Sequence, residues 1–293
     1  MTSFVVFKKK MSLQRSIRIK YKLNDRIFIA IALLGAILMV LPFLWMVSTS
    51  MRLASEAFAL PPDFLPNRFS LENYLAVFES PIPFPLFFLN SLTITFFVTL
   101  GQLITCSLAA YGFARIKFPG KNSIFIIFLA GLMVPAQVTI IPLYIGMGLL
   151  GLVDTHLALI LPALTSAFGI FLLRQFFLTL PGELEDSAKI DGASHWTIYR
   201  KIALPLAAPS LAALIVITYN STWNSYFGPL IFLHSWEKMT LPLGLAALRG
   251  YMASGNLSVI MAGVTMAILP VFLVFLFAQR YFIEGLAKSV IKG

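Results

Sequence analysis

Long apolar stretches without a single charge are what most restrict the folds open to this chain. Between Glu79 and Arg115, for example, no residue is charged. A bilayer core about 30 Å thick needs roughly 20 apolar residues for each helix that crosses it. Only 12% of the residues are charged, whereas soluble domains contain about 25%. The sequence therefore predicts an all-α, polytopic membrane protein.

Six stretches are long and apolar enough to cross a bilayer. They are Ile27–Met51, Leu86–Phe113, Ser123–Tyr144, Thr155–Leu173, Leu206–Leu230 and Val259–Tyr281. The first is longer than the roughly 7–15 apolar residues of a signal-peptide core, so we expect it to remain as a transmembrane helix. Prolines lie in or near the stretches, Pro135 among them. They predict kinked helices that surround a cavity.

The distribution of basic residues predicts the orientation of these spans. Of the 22 lysines and arginines, all but Arg52, Arg68, Lys238 and Arg249 fall on one side of the six-span arrangement. Loops rich in lysine and arginine stay in the cytoplasm, so both termini are predicted to be cytoplasmic. The outward loops are then 52–85, 145–154 and 231–258. The net charge of +10 does not indicate nucleic-acid binding, because the charges are scattered between apolar spans.

Three regions follow from this arrangement. Residues 1–26 form a basic cytoplasmic N-terminal segment, residues 27–281 a six-helix transmembrane domain and residues 282–293 a cytoplasmic C-terminal tail. The transmembrane domain contains one charged cytoplasmic loop, 181–205, discussed below.

The groups needed for chemistry are missing from the sequence. A phosphate-binding loop requires a glycine directly before a lysine and another glycine five residues before that one, and at Gly120-Lys121 the position of the earlier glycine holds Arg115. The three histidines are scattered, which argues against a metal site. No acidic residue lies deep in a span, although ion-coupled carriers usually place one there. We therefore expect a non-catalytic pathway that depends on a partner for energy.

Residues 181–205 read as two short helices joined by a turn. Pro181 precedes acidic residues that favour a helix N-terminus, and Gly192 can end that helix with a positive φ. Ser194 can cap a second helix, which we expect to stop before Pro205. In the second helix, two apolar stripes suit a helix that lies along the membrane surface or fills a groove. The stripes are Trp196, Tyr199 and Ala203, and Ile198 and Ile202.

The order of residues in this segment resembles a known family motif. The run Pro181-x-Glu183-Leu-Glu185-Asp-Ser-Ala-Lys-Ile-Asp191-Gly192-Ala193, followed by Leu204-Pro205, is similar to the "EAA" loop of bacterial ABC importer permeases. Asp186-Ser187-Ala188 stands where the family has Glu-Ala-Ala, whereas Asp191-Gly192-Ala193 is intact.

The resemblance extends over nearly the whole chain. Segments from the first span to the last look like the maltose-type carbohydrate permeases. The ending Gly285-Leu286 to Gly293 looks like that of their second, shorter permease subunit, although Ser289 replaces a common glycine. The segments include Pro42-Phe-Leu-Trp-Met-Val-Ser-Thr-Ser50, Phe171-Leu-Leu-Arg-Gln-Phe-Phe177, Trp223-Asn224 and Gln279-Arg-Tyr-Phe282.

The resemblance implies a permease of a bacterial or archaeal plasma (inner) membrane. Its partners would be a second homologous permease, an ABC ATPase dimer and an extracytoplasmic solute-binding protein. This chain would bind no cofactor, and ATP and Mg²⁺ would sit in the partner ATPase. The implied ATPase-coupling residues are Glu185, Asp186, Ser187, Ala188, Asp191, Gly192, Ala193 and Trp196. The implied tail contacts are Lys288, Lys292 and Gly293.

Polar residues in the spans suggest where solute passes. Asn220 and Asn224 share one helix face at i, i+4 beside Trp223, and Gln137 follows Pro135. Amide and aromatic groups together suit a hydroxylated ring, but hydrogen bonding between helices would use the same groups. Three other functions remain open at this point. They are import of a glycerol-phosphate-type solute, stand-alone secondary transport and a membrane scaffold without a pathway.

Overall fold

The computed structural model describes the backbone of residues 2–53, 56, 64–252 and 256–290, and the side chains of residues 26–53, 56, 64–252 and 256–281. No residue within these ranges lies in a β-strand, which confirms the all-α prediction. The helices are α1 Thr2–Ser50, α2 Glu72–Glu79, α3 Phe84–Arg115, α4 Lys121–Ala130, α5 Ala136–Leu149, α6 Leu157–Ala163, α7 Ala167–Thr179, α8 Gly182–Ile190, α9 His195–Ile198, α10 Leu204–Leu206, α11 Ala208–Trp223, α12 Phe227–Phe232, α13 Leu241–Tyr251 and α14 Leu257–Val290.

Four stretches of the described chain are long and apolar enough to span a membrane, and two more qualify as pairs of helices that meet at a sharp bend. Lys121–Met133 and Ala136–Leu149 meet at 101°, and His195–Leu206 and Ala208–Trp223 meet at 74°. Six spans result if each bent pair crosses once. The bend at Pro135 lies within the third predicted span, whereas the bend after Leu206 lies where the fifth predicted span begins. Pro135 precedes α5 with an extended backbone, a conformation that a residue inside a helix cannot adopt. The other four candidate spans are Arg26–Ser50, Phe84–Arg115, Leu157–Thr179 and Leu257–Tyr281.

Helix α3 lies at the centre of the bundle. It packs against α7 and α11, α11 packs against α14, and α14 packs against α1. Lipid tails are as apolar as leucine, so close side-chain packing, rather than escape from water, stabilises these contacts. One buried cluster joins α3, α7 and the segment around Tyr199. A second buried cluster joins α3, α11, α13 and α14 around Phe87 and Trp223.

Most of the described side chains of α1 are exposed apolar groups, as a helix surrounded by lipid requires. Only its last turn is buried, where Ser48, Thr49 and Ser50 lie. The Asn73 side chain of α2 holds that end, because its Nδ2 donates to the carbonyls of Ser50 at 2.8 Å and Arg52 at 2.7 Å. The orphan carbonyls of a helix C-terminus are thus satisfied inside the protein.

Side chains of α3 also satisfy the backbone where the span formed by α6 and α7 is interrupted. Gln102 Nε2 donates to the Ala163 carbonyl at 2.9 Å, and Thr105 Oγ1 donates to the Leu164 carbonyl at 2.6 Å. A non-helical backbone is tolerated at membrane depth only when such partners exist or when it lines a cavity. The polar residues of α3 therefore compensate for the interruption in the neighbouring span.

A carboxylate ties together two of the loops that are predicted to face outward. Asp154 accepts hydrogen bonds from the Ser235 hydroxyl and from the backbone N–H groups of Ser235 and His234, both at 2.8 Å. The ammonium of Lys238 lies 3.4 Å from Asp154 Oδ2. These contacts, the Ser235 hydroxyl foremost, hold the pKa of the Asp154 carboxyl well below its usual range. Because its pKa is lowered, the Asp154 carboxyl stays ionised further into the acid range than an ordinary aspartate, and the contact between the two loops persists there.

The packing of α13 against α3 yields a stability prediction. A Cβ at Gly244 would overlap the ring of Phe87, whereas a Cβ at Gly250 in the same helix meets nothing within 4 Å. Phe87 is fully buried and packs edge-on against Trp236, so its ring has little room to move. Overpacking costs about 1–3 kcal/mol. We expect Gly244→Ala to lower the apparent melting temperature of the detergent-solubilised protein.

Gly250→Ala is the matched control, and we expect it to keep or raise that temperature, because alanine favours a helix over glycine by about 1 kcal/mol. Equal effects of the two substitutions would contradict the packing described for Phe87.

Candidate functional site

The charged loop 181–205 begins with the helix that its sequence predicts. Helix α8 starts after Pro181, with Glu183 and Glu185 in its first turn and Lys189 in its last. Gly192 has a φ of +80°. Its N–H donates to the Lys189 carbonyl at 3.0 Å, and the Ala193 N–H donates to the Ala188 carbonyl at 2.9 Å. This pair of bonds is the Schellman motif, which fixes the direction in which the chain leaves the helix.

The second helix of the loop begins as predicted but ends differently. Ser194 caps α9, and its Oγ accepts from the Thr197 N–H at 3.3 Å. After four residues α9 passes into a π-helix, Tyr199–Ala203, and α10 then continues through Pro205 to Leu206. The expected stop before Pro205 is therefore wrong. Proline has no N–H to donate to the carbonyl four residues earlier. The wider π turn, in which Leu204 donates to the Tyr199 carbonyl, allows the helix to continue despite this missing donor.

The two apolar stripes of this segment do not both face outward. Ile198, Tyr199 and Ala203 are buried in the cluster formed with α3 and α7. The Tyr199 hydroxyl lies 2.8 Å from Ser107 Oγ of α3, and its ring is 5.3 Å from that of Tyr111. Trp196 alone of its stripe emerges, with 59% of its surface exposed. The segment is therefore seated in its own bundle and presents one large ring.

An arginine at the end of α3 holds the other half of the loop. Arg115 Nε lies 3.2 Å from Glu185 Oε1, and the two side chains are only 14% and 10% exposed. The same guanidinium donates to the carbonyls of Phe177 and Leu180 at the end of α7. Glu185 is thus buried, whereas its neighbours are exposed. The hydrogen bonds to the two carbonyls fix the direction of the planar guanidinium, and Glu185 contacts it as an ion pair without the geometry of a hydrogen bond.

The remaining predicted coupling residues lie around the outer surface of the loop. Asp186, Ser187, Asp191 and Gly192 are exposed, and Ala188 and Ala193 are half-buried. Ile190, which the sequence analysis did not select, is 86% exposed between them. Exposed apolar residues on a firmly anchored loop are typical of a docking surface. Lys292 and Gly293 lie outside the described residues, as does the side chain of Lys288.

The predicted solute-pathway residues do not converge. Trp223 is buried, donates its indole N–H to the Ala267 carbonyl at 3.0 Å and stacks on Tyr219. It therefore joins α11 to α14. Asn224 Nδ2 donates to Asn220 Oδ1 at 3.0 Å, so these two do share a face, and Asn220 borders an open groove against α14. Gln137 is exposed.

A cavity of about 350 Å³ lies elsewhere, between α3, α5, α6, α11 and α12. We call it the hydroxyl cavity, because hydroxyl groups dominate its polar lining and none of the described residues that border it is charged. The sequence analysis did not select this cavity. The pattern that could have indicated it is the pair Ser221 and Ser225, four residues apart in the fifth predicted span. The lining hydroxyl residues include Thr95, Thr139, Ser221, Thr222, Ser225 and Thr240.

The contact between Arg115 and Glu185 leads to a second prediction. Removing one partner of a buried ion pair leaves the other charge uncompensated and costs roughly 3 kcal/mol or more. We expect Arg115→Met to lower the apparent melting temperature markedly and Arg115→Lys to do so less, because lysine keeps the charge but not the fork of donors. Lys117→Met, at an exposed position two residues after Arg115, is the control. If Arg115→Met and Glu185→Gln proved additive in a double-mutant cycle, the ion pair would not be an interaction that stabilises the fold.

Comparisons with known proteins agree with this architecture. Residues 102–288 match the family described as the binding-protein-dependent transport system inner membrane component. The arabinooligosaccharides transport system permease protein AraQ of Halalkalibacterium halodurans is 36% identical over 260 residues, which cover 88% of this chain and 93% of AraQ. The lactose transport system permease protein LacG of Rhizobium radiobacter is 35% identical over 272 residues, 93% of this chain and 98% of LacG.

A third relative has a phosphorylated solute in its name. The sn-glycerol-3-phosphate transport system permease protein UgpE of Salmonella choleraesuis is 35% identical over 241 residues, 79% of this chain and 85% of UgpE. Among solved structures, a chain of a bacterial ABC transporter involved in the import of the acidic polysaccharide alginate is similar. Its TM-score is 0.76 at 27% identity, covering 88% of this chain and 98% of that one. This chain therefore belongs to the family of inner membrane components of binding-protein-dependent transport systems.

Proposed function

We propose that this chain is a permease subunit of an ATP-driven importer for a sugar, an oligosaccharide or a related polyol. Relatives named for arabinooligosaccharide and lactose transport support the solute class. The observation that carries the mechanism is the loop 181–205, whose base is held inside the bundle while Ile190 and Trp196 are exposed at its surface. Such a loop can be moved by a partner protein bound to its surface and can transmit that movement to the bundle without deforming.

The anchors of the loop define which helices would move with it. Arg115 links α8 to the ends of α3 and α7, and Tyr199 links the second half of the loop to α3 through Ser107. In the proposed cycle, a partner ABC ATPase dimer closes on ATP and Mg²⁺ and carries the loop with it. Packed helices switch between arrangements as rigid bodies, so α3 and α7 follow. This chain itself catalyses nothing and holds no cofactor.

The proposed assembly includes three further features. A second homologous permease completes the pathway, and an extracytoplasmic solute-binding protein delivers solute to the outward loops. The complex lies in the plasma (inner) membrane of a bacterium or archaeon, in contact with lipid and not with nucleic acid. Both termini face the cytoplasm, an orientation that protease cleavage of the tail from outside intact spheroplasts would contradict.

Import of a glycerol-phosphate-type solute is a second candidate, because UgpE is among the relatives. A phosphate group calls for a positive partner in the pathway. The hydroxyl cavity offers none, so such a solute would need cationic groups from the second permease. A stand-alone secondary carrier, in contrast, would transport without any ATPase.

Gly192 provides the test of coupling. A Cβ there meets nothing within 4 Å, so a large side chain would project from the loop without touching this chain, and the cost within the chain is the strain of a side chain at a φ of +80°. We expect Gly192→Arg to reduce both uptake and solute-stimulated ATP hydrolysis at least tenfold, because the arginine would obstruct the fit with the ATPase. The measurements are radiolabelled oligosaccharide uptake and phosphate release in proteoliposomes that contain the whole complex.

Gly192→Ala is the matched control, since alanine places the same Cβ at a positive φ and adds little bulk. It should retain most of both activities. If Gly192→Arg assembles normally and still couples ATP hydrolysis to uptake, the loop is not the coupling surface.

A further inference from the structure

We propose that the hydroxyl cavity is a site where this chain itself contacts the transported solute, and that the solute there is an uncharged, hydroxyl-rich molecule such as one ring of an oligosaccharide. This inference rests on the proposed function and adds to it a location and a chemical class. It assigns the contact to the cavity rather than to Gln137, Asn220, Trp223 and Asn224. Three independent features of the cavity support it.

The first feature is the backbone around the cavity. Three helical spans are interrupted beside it: before Ala136 of α5, after Ala163 of α6, and at Ser225 between α11 and α12. All three of these residues line the cavity. Non-helical backbone within a membrane span is tolerated where it is buried in protein or lines an aqueous space. Interruptions of three different spans at one place indicate a space built to hold a polar occupant.

The second feature is the state of the lining hydroxyl groups. Thr95 and Thr240 both border the cavity and are at least nine-tenths buried, and the Oγ1 of each has no hydrogen-bond partner among the described residues. Buried polar groups in proteins nearly always have a partner. These two hydroxyls can each donate one hydrogen bond and accept two. Each Oγ1 is itself covered, with under 1 Å² exposed, so a solute hydroxyl becomes its partner once the side chain turns toward the cavity.

The third feature is the absence of charge together with the presence of apolar surface. Within the part of the chain that the structure describes, the cavity wall contains no lysine, arginine, histidine, aspartate or glutamate, and Ile94, Leu143 and Phe232 supply apolar surface. A sugar ring has polar edges and apolar faces, which match hydroxyl groups set between apolar side chains. An anion would enter this cavity without a counter-charge. At about 350 Å³, the volume lies within the roughly 300–1,000 Å³ typical of small-molecule pockets.

Protection of a cysteine from chemical labelling tests the proposal. The native cysteine, Cys106, is fully buried, and Cys106→Ala would leave this chain without thiols, so labelling is read on this chain alone after the subunits are separated. In that background, Thr222→Cys or Ser225→Cys is introduced into the complete complex, purified in detergent with its binding protein. The complex is held with non-hydrolysable ATP and treated with a charged methanethiosulfonate reagent. We expect arabinotriose or lactose to slow labelling at least fivefold and sn-glycerol 3-phosphate at the same concentration to leave it unchanged.

Ser123→Cys, at an exposed position outside the cavity, is the matched control, and its labelling should not respond to any of the three solutes. In parallel, Thr222→Val removes one hydroxyl of the cavity while preserving the shape of the side chain. We expect it to lower the amount of sugar transported per ATP hydrolysed at least threefold with stimulation of ATP hydrolysis intact. Thr179→Val, at an exposed hydroxyl outside the cavity, should leave that ratio unchanged.

The outcomes separate the inference from the proposed function. If the complex transports sugar but neither cavity cysteine is protected and Thr222→Val keeps the wild-type ratio, solute passes elsewhere and the cavity holds only water. If sn-glycerol 3-phosphate protects as well as the sugars do, the assignment to uncharged solutes is overturned. If the complete complex accumulates no sugar, oligosaccharide or polyol in the presence of ATP, the proposed function fails and the inference fails with it.

Discussion

The guanidinium of Arg115 joins the ends of three helices, and the proposed mechanism depends on that junction. It belongs to the last residue of α3, it donates to two carbonyls where α7 ends, and it pairs with Glu185 in the first turns of α8. Each contact satisfies a local need, since helix C-termini leave carbonyls without partners and favour a positive charge. Together they turn a surface loop into an extension of two membrane spans. A loop attached only through its two ends would bend under load instead of moving the bundle.

The same physical requirement, that no backbone polar group remain unpaired in lipid, accounts for the rest of the bundle. Gln102 and Thr105 of α3 compensate for the interruption between α6 and α7, and the Trp223 indole reaches across to the α14 backbone. The interruptions before Ala136 and at Ser225 border the hydroxyl cavity, as does Ala163. Helix α3 therefore has two roles: its polar side chains stabilise the neighbouring spans, and its end at Arg115 holds the loop.

The sequence predicts local chemistry well and contacts between distant residues poorly. The extent of α8, its end at Gly192 and the cap at Ser194 all follow from interactions within a few residues, and the structure has them. The π-helix before Pro205 does not follow, because the missing N–H of proline can be accommodated in several ways and the packing of Tyr199 against α3 selects one. The Arg115–Glu185 pair joins different helices, so no spacing rule reveals it. The sequence favoured Trp223 as a sugar contact because it does not show that the assembled bundle buries this side chain. The hydroxyl cavity escaped notice for a related reason, since its walls come from five helices.

The central claim is that this chain is a passive pathway moved by a partner. The most direct measurement compares accumulation of radiolabelled arabinotriose and lactose in two sets of proteoliposomes supplied with ATP. One set contains this chain alone, and the other contains it with its second permease, the ATPase dimer and the binding protein. The account predicts accumulation against a gradient only in the second set, and only while ATP is hydrolysed. Accumulation by the chain alone, driven by an ion gradient, would contradict it.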